Sequence, residues 1–71
     1  MQIGDLLNDG TALVLHQTPL YVLCFDMDKR EFVTWALDDK GKTFEGHYWK
    51  SILLAVGDYK DRTLRDFRQK V

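Results

Sequence analysis

The stretch from Glu31 to Trp49, EFVTWALDDKGKTFEGHYW, limits the fold more than any other part of the chain. It holds both tryptophans, two of the four phenylalanines and one of the two histidines. Two strand-like runs, Glu31–Leu37 and Thr43–Trp49, flank Asp38-Asp39-Lys40-Gly41-Lys42, where Gly41 can take the positive φ that such turns demand. A central β-hairpin is therefore predicted, with its register open on the residues alone. A four-residue loop sets Leu37 against Lys42 and places Val33, Trp35 and Leu37 on one face with Phe44, Gly46 and Tyr48. Thr34, Glu45, His47 and Trp49 then share the other face. A three-residue loop bulged at Gly41 mixes the faces unless Gly46 supplies a second bulge, because a slip of one residue moves every side chain across the sheet. The first register gives the more coherent apolar face and is the one expected.

The flanking segments extend this hairpin into a meander. Residues 11–17 (TALVLHQ) are apolar at four consecutive positions and too few for a helix, so they read as a strand. Thr18-Pro19 interrupts, since proline has no amide hydrogen to give a ladder. Residues 20–27 (LYVLCFDM) resume as a nearly continuous apolar strand, expected at the sheet centre with both faces covered. Asp28-Lys29-Arg30 is a short polar connection into the hairpin. Residues 3–8 (IGDLLN) are apolar at 3, 6 and 7, the spacing of one helical turn, and Gly10 suits a reversal, so a short turn or helical cap is expected there.

From Lys50 onward the pattern is helical. Ile52, Ala55, Val56, Tyr59, Leu64 and Phe67 fall roughly on one stripe, and Ser51 or the residue before it can cap the start. Gly57 costs about 1 kcal/mol against alanine inside a helix, so it either permits close packing on the sheet or marks a bend. Asp58 with Arg62, Asp61 with Arg65 and Asp66 with Lys70 are acid-then-base pairs at i, i+4, the pattern of a solvated face. The expected fold is α+β: an antiparallel meander of three or four strands with a C-terminal helix packed on one face. Residues 1–71 hold a single small domain, which buries only about 60% of the surface its unfolded chain exposes.

Charge and composition narrow the function classes. The net charge is −1, which creates no global field toward nucleic acid or an anionic membrane. Residues 1–57 carry eight acids and five bases, whereas residues 58–71 carry three acids and five bases, which leaves room for a local basic face at the C-terminal end. The single cysteine, Cys24, lies in an apolar run, which rules out an internal disulfide and a cysteine-based zinc site. No run reaches the ~18 apolar residues of a membrane span and no signal peptide is visible, so a cytoplasmic location away from membranes is expected.

Candidate chemistry is sparse. Asp26-Met27-Asp28 after an apolar strand superficially resembles the nucleophile strand of haloacid-dehalogenase-type phosphatases, but 71 residues cannot build the parallel sheet and loops those enzymes need. Two solvated carboxylates at a turn are the plainer reading. The acidic loop at Asp38 and Asp39 lacks the alternating oxygens and closing glutamate of a calcium loop. His16 and His47 are 31 residues apart with no close ligand pair, a weak metal signal. A Cys24–histidine dyad needs an exposed, electropositive thiol, which an apolar strand does not offer. Ser51 has no glycine-flanked elbow around it. No catalytic residue, metal or cofactor is expected, and the chain is read as a non-enzyme.

Two groups remain as partner-binding candidates. Trp35, Tyr48 and Trp49 are the first, because in either register one tryptophan lies away from the main core face and an exposed tryptophan is a common docking anchor. Cover by the helix is the competing reading. Arg62, Arg65 and Arg68 are the second; with Lys60 and Lys70 they would reach phosphates if they share a helix face, although Arg62, Arg65 and Lys70 each have an acid one turn upstream.

At Glu31-Phe32-Val33-Thr34-Trp35, Gly46-His47-Tyr48-Trp49, Ala55, Asp58-Tyr59 and Arg62, the chain resembles a loose group of small bacterial proteins of no assigned activity that are carried by phages and other mobile elements. The resemblance spans residues 3–62 at most and its motifs are structural in kind. It implies a fold and a genomic context, and by analogy with anti-CRISPR proteins a role in binding a host or defence protein. The leading expectation is thus a non-catalytic protein-binding module. The alternative is a small nucleic-acid-binding accessory protein using the basic C-terminal helix, and a homodimer through an uncapped edge strand is a third reading.

Overall fold

The computed structural model describes residues 2–7 and 10–69, the last four of these by backbone alone. Five strands, β1 (Leu6–Leu7), β2 (Ala12–Gln17), β3 (Tyr21–Asp26), β4 (Glu31–Leu37) and β5 (Thr43–Trp49), precede one helix, α1 (Ile52–Gln69). The strands form one antiparallel sheet in the order β1-β2-β3-β4-β5, and α1 packs on β3, β4 and β5. The α+β meander with a covering helix is as expected, with one strand more than the upper expectation.

That strand is β1, where a helical turn was expected. Three apolar residues at positions 3, 6 and 7 do not distinguish one helical turn from a short strand. The backbone bonds show both a turn and a strand: Asp5 donates to the Gln2 carbonyl at 3.0 Å, closing the expected turn over Ile3 and Gly4, while Gly4 donates to the Val14 carbonyl and Val14 to the Asp5 carbonyl, each at 2.8 Å, so the chain leaves the turn paired with β2 and not as a helix. Gly4 and Gly10, at φ 92° and 88°, bracket it. β3 is the central strand, with Val22, Leu23 and Cys24 all buried. Its end is fixed by Asp26, whose Oδ1 accepts from the amides of Asp28 (3.0 Å) and Lys29 (3.1 Å), so the first acid of the Asp-x-Asp pattern closes a turn.

The β4–β5 hairpin has the expected strands in a different register. Its loop is five residues, closed by Asp38 N–H to the Lys42 carbonyl at 2.9 Å and held by Asp38 Oδ1, which accepts from the amides of Lys40 and Lys42. Leu37 pairs with Thr43 and Ala36 with Phe44, but Thr34 pairs with His47 and Val33 with Tyr48. Glu45 and Gly46 thus stand opposite Trp35 alone, a β-bulge with Glu45 at φ 51°. The cause is steric: a Cβ on Gly46 would lie 2.5 Å from Trp35 Nε1, so the indole crosses the space that only glycine leaves. The five-residue loop moves Phe44 to the face opposite the one predicted, and the bulge then restores Tyr48 to the face of Val33 and His47 and Trp49 to that of Thr34, as expected.

Each side of the sheet has its own core. Away from α1, Ala12, Val14, Val22, Cys24, Val33, Trp35 and Leu37 form one cluster with Leu7 packed against it. Among the described side chains no helix residue contributes, so the strands bury this face by coiling around their own side chains. Trp35 is 6% exposed, with Tyr48 edge-on at 6.3 Å. On the other side, Leu23, Ala55 and Tyr59 are buried against Leu15, Tyr21, Phe32, Trp49 and Val56. The expected helical stripe is only partly the buried one. Ala55, Val56 and Tyr59 point inward, Ile52 and Leu64 are exposed, and the side chain of Phe67 lies outside the described residues. Arg62, 4% exposed, takes the inward place.

Candidate docking groove and the polar seam behind it

The bulge explains why an arginine is buried. A bulge interrupts the strand ladder and leaves backbone carbonyls that need donors. Arg62 reaches them from α1: Nη1 donates to the Thr34 carbonyl (2.9 Å) and to Thr34 Oγ1 (3.1 Å), and Nη2 to the Glu45 carbonyl (2.9 Å). The guanidinium also lies 5.2 Å from the centre of the Tyr21 ring. Thr34 passes the contact on, donating its hydroxyl to Asp58 Oδ2 at 2.5 Å, and His47 Nδ1 meets the same oxygen at 3.0 Å. Burial alone would raise the Asp58 carboxyl, but the hydrogen bonds from Thr34 and His47, with the charges of His47 and Arg62, outweigh it and hold the carboxyl below its ordinary value.

This seam orients an imidazole on a carboxylate without bringing it an activated nucleophile. Cys24 belongs to the cluster on the other side of the sheet, and burial pushes its thiol up to about 12. Among the described residues, no group of three or more histidine, cysteine or acidic side chains is placed to hold a metal ion.

Along one flank of the same helix, beside the end of β5, lies a groove of about 300 Å³, lined by Trp49, Leu53, Leu54, Gly57, Asp58 and Asp61. Leu53 is 80% exposed and Leu54 58%. Trp49 is half-buried, and its indole Nε1 is buried without a hydrogen-bond partner. The apolar surface continues from Trp49 across the sheet through Phe32, Phe25, Leu13 and Leu6, which face one another strand by strand. A second hollow of about 410 Å³ lies on the other flank of α1, between Leu23, Val56 and Tyr59, with His16 and Lys60 at its rim. There His16 Nδ1 and the Tyr59 hydroxyl are 3.0 Å apart.

The residues expected to bind a partner are scattered by this arrangement. Trp35 is a core residue and presents no docking surface, because the glycine opposite it lets the indole lie flat into the sheet. Tyr48 is 44% exposed on Trp35's side, beneath the Lys29 ammonium. Trp49 alone of the three lies on the helix side and lines the groove. Of the arginines, Arg62 is turned inward by the bulge carbonyls and offers no charge to a phosphate, Arg65 is exposed, and the Arg68 side chain lies outside the described residues. Leu53, Leu54 and Asp61 were missed. The signal was present: five consecutive apolar residues, Ile52 to Val56, exceed what one stripe of a helix can bury.

Against protein-family models, curated proteins and solved structures alike, the chain finds no match.

Proposed function

We propose that this protein is a non-catalytic protein-binding module that docks through the first turns of α1 together with Trp49. One observation carries the reading: Leu53 and Leu54 stand exposed beside a half-buried tryptophan, in a chain that has little apolar surface to spare. Covering the two leucines, 80% and 58% exposed, supplies at most roughly 1.5–3 kcal/mol each before the costs of association. The resemblance to mobile-element proteins makes a host or defence protein the natural partner.

Nucleic-acid binding draws no comparable support, since Arg62 is spent on Thr34 and Glu45. Edge-strand dimerisation is also disfavoured. The sheet ends in β1, two residues long, and in β5, which is bulged, and both features discourage edge pairing. No helix among the described residues is long and apolar enough to cross a membrane.

The test is capture of partners from bacterial lysate by the wild-type chain and by the Leu53→Asp/Leu54→Asp double variant. A partner retained by the first and lost by the second, with both folded by circular dichroism, is expected. Equal retention would remove this face from consideration.

A further inference from the structure

We propose that the groove beside α1 receives an arginine or lysine side chain carried on an apolar segment of the partner protein. This rests on the docking face argued above and names what occupies it. Trp49, Leu53 and Leu54 make the groove apolar along its length, while Asp61 contributes an exposed carboxylate and Asp58 one that His47 and Arg62 already face from behind; no basic residue lines the groove itself. A cation on an aliphatic stem matches these surfaces in turn, with the stem on the leucines and the charge near the indole and the acids. Asp58 is already oriented, because Thr34 and His47 hold its Oδ2. A fixed carboxylate loses little freedom on binding.

Gly57 supplies an independent observation. It is an exposed glycine within α1, and a Cβ there would meet nothing within 4 Å. Neither contact with the sheet nor a left-handed backbone requires it, so in the free protein it only weakens the helix. Gly57 forms part of the wall of the groove, where a Cβ would narrow the passage for an incoming side chain.

The experiment titrates the ¹⁵N-labelled full chain at low salt with an acetylated, amidated Leu-Arg-Leu-Arg-Leu peptide and with its Leu-Glu counterpart. The arginine peptide is expected to shift the Trp49 indole and Gly57 amide resonances saturably, and the glutamate peptide to leave them in place. Asp61→Asn should weaken the arginine peptide severalfold. Gly57→Ala should weaken it tenfold or more while raising the melting temperature, an opposition that a purely structural glycine would not produce. Absence of shifts, equal response to both peptides, or unchanged binding by Gly57→Ala overturns the proposal. So does a dimer by light scattering that Leu53→Asp disperses, since the occupant is then a second copy. A captured partner that depends on Leu53 and Leu54 but ignores Asp61→Asn and Gly57→Ala removes the cation and leaves the docking face standing. A partner indifferent to all four removes both.

Discussion

The two faces of α1 each depart from an ordinary amphipathic helix, in opposite ways. The inner face sets Ala55, Val56 and Tyr59 against the sheet with Arg62 buried among them, and the outer face shows Leu53, Leu54 and Leu64 to solvent beside Lys60, Asp61 and Arg65. Apolar burial accounts for the first three residues but not for the arginine. Arg62 is placed there by need: the bulge at Glu45 and Gly46 requires donors for carbonyls, and a guanidinium supplies several in one plane. The outer leucines are left for something else to cover. The helix is thus seated by apolar packing and polar satisfaction together, and its exposed leucines become the candidate binding surface.

The largest effect that could break this comparison is loss of the inner arginine. Arg62→Ala leaves the Thr34 and Glu45 carbonyls without their donor and the Asp58 carboxylate without a nearby cation. We expect a cost of about 3–5 kcal/mol, the range for breaking a buried charged cluster. A domain of 71 residues has roughly 4–11 kcal/mol in all, so the variant should be close to unfolded in urea titrations. Arg62→Lys should recover little, because one ammonium cannot reach three oxygens at once. A well-folded alanine variant would show that the packing of Ala55, Val56 and Tyr59, not the arginine, sets the helix.

Next is the bulge itself. Gly46→Ala forces a Cβ to 2.5 Å from Trp35 Nε1, against a ring packed in the far core, and we expect about 1–3 kcal/mol of destabilisation with a change in tryptophan fluorescence. Gly57 is the internal control, for the same substitution there meets open space. Equal responses at the two glycines would mean that the bulge is not held by the indole.

Much of the fold was readable beforehand because short apolar and β-branched runs mark strands and residue type marks turns. The β4 and β5 boundaries, the central place of β3 and the C-terminal helix all follow from such local signals. Three things were not readable. Two residues of β1 are too few to show a period. The β4–β5 register depends on an indole needing the room above Gly46, a contact between strands that no spacing reveals. Arg62 looked like one of a basic series because its carbonyl partners exist only once the bulge has formed. The candidate site differs for the same reason: Trp35 and Arg62 are buried, and of the expected residues Trp49 alone joins Leu53 and Leu54 along the groove.

Asp58 gives a smaller, pH-dependent handle on the inner face. Its folded carboxyl lies below the ordinary value of 3.8, so the folded state binds fewer protons there than the unfolded chain. The resulting stability is fully present above pH 3.8 and is lost as pH falls through the folded value. Thr34, His47 and Arg62 are the groups that face it and set the sign. Asp58→Asn should show a shallower acid-side decline in its urea midpoint than the wild type. Parallel declines would mean that the carboxylate is not engaged in the seam.

The smallest expected effect sharpens the comparison most. Leu53→Asp and Leu54→Asp, taken singly, should change stability by no more than about 0.5 kcal/mol, because each side chain is exposed and neither joins the two core clusters. Leucine normally resists such a change, since burying it contributes about 1.5–3 kcal/mol. A near-zero result places that contribution outside the isolated chain, to be realised only when another surface covers the helix. A drop of 2 kcal/mol or more, roughly the cost of losing a buried leucine, would instead mean that these residues pack in solution and that the outer face is closed.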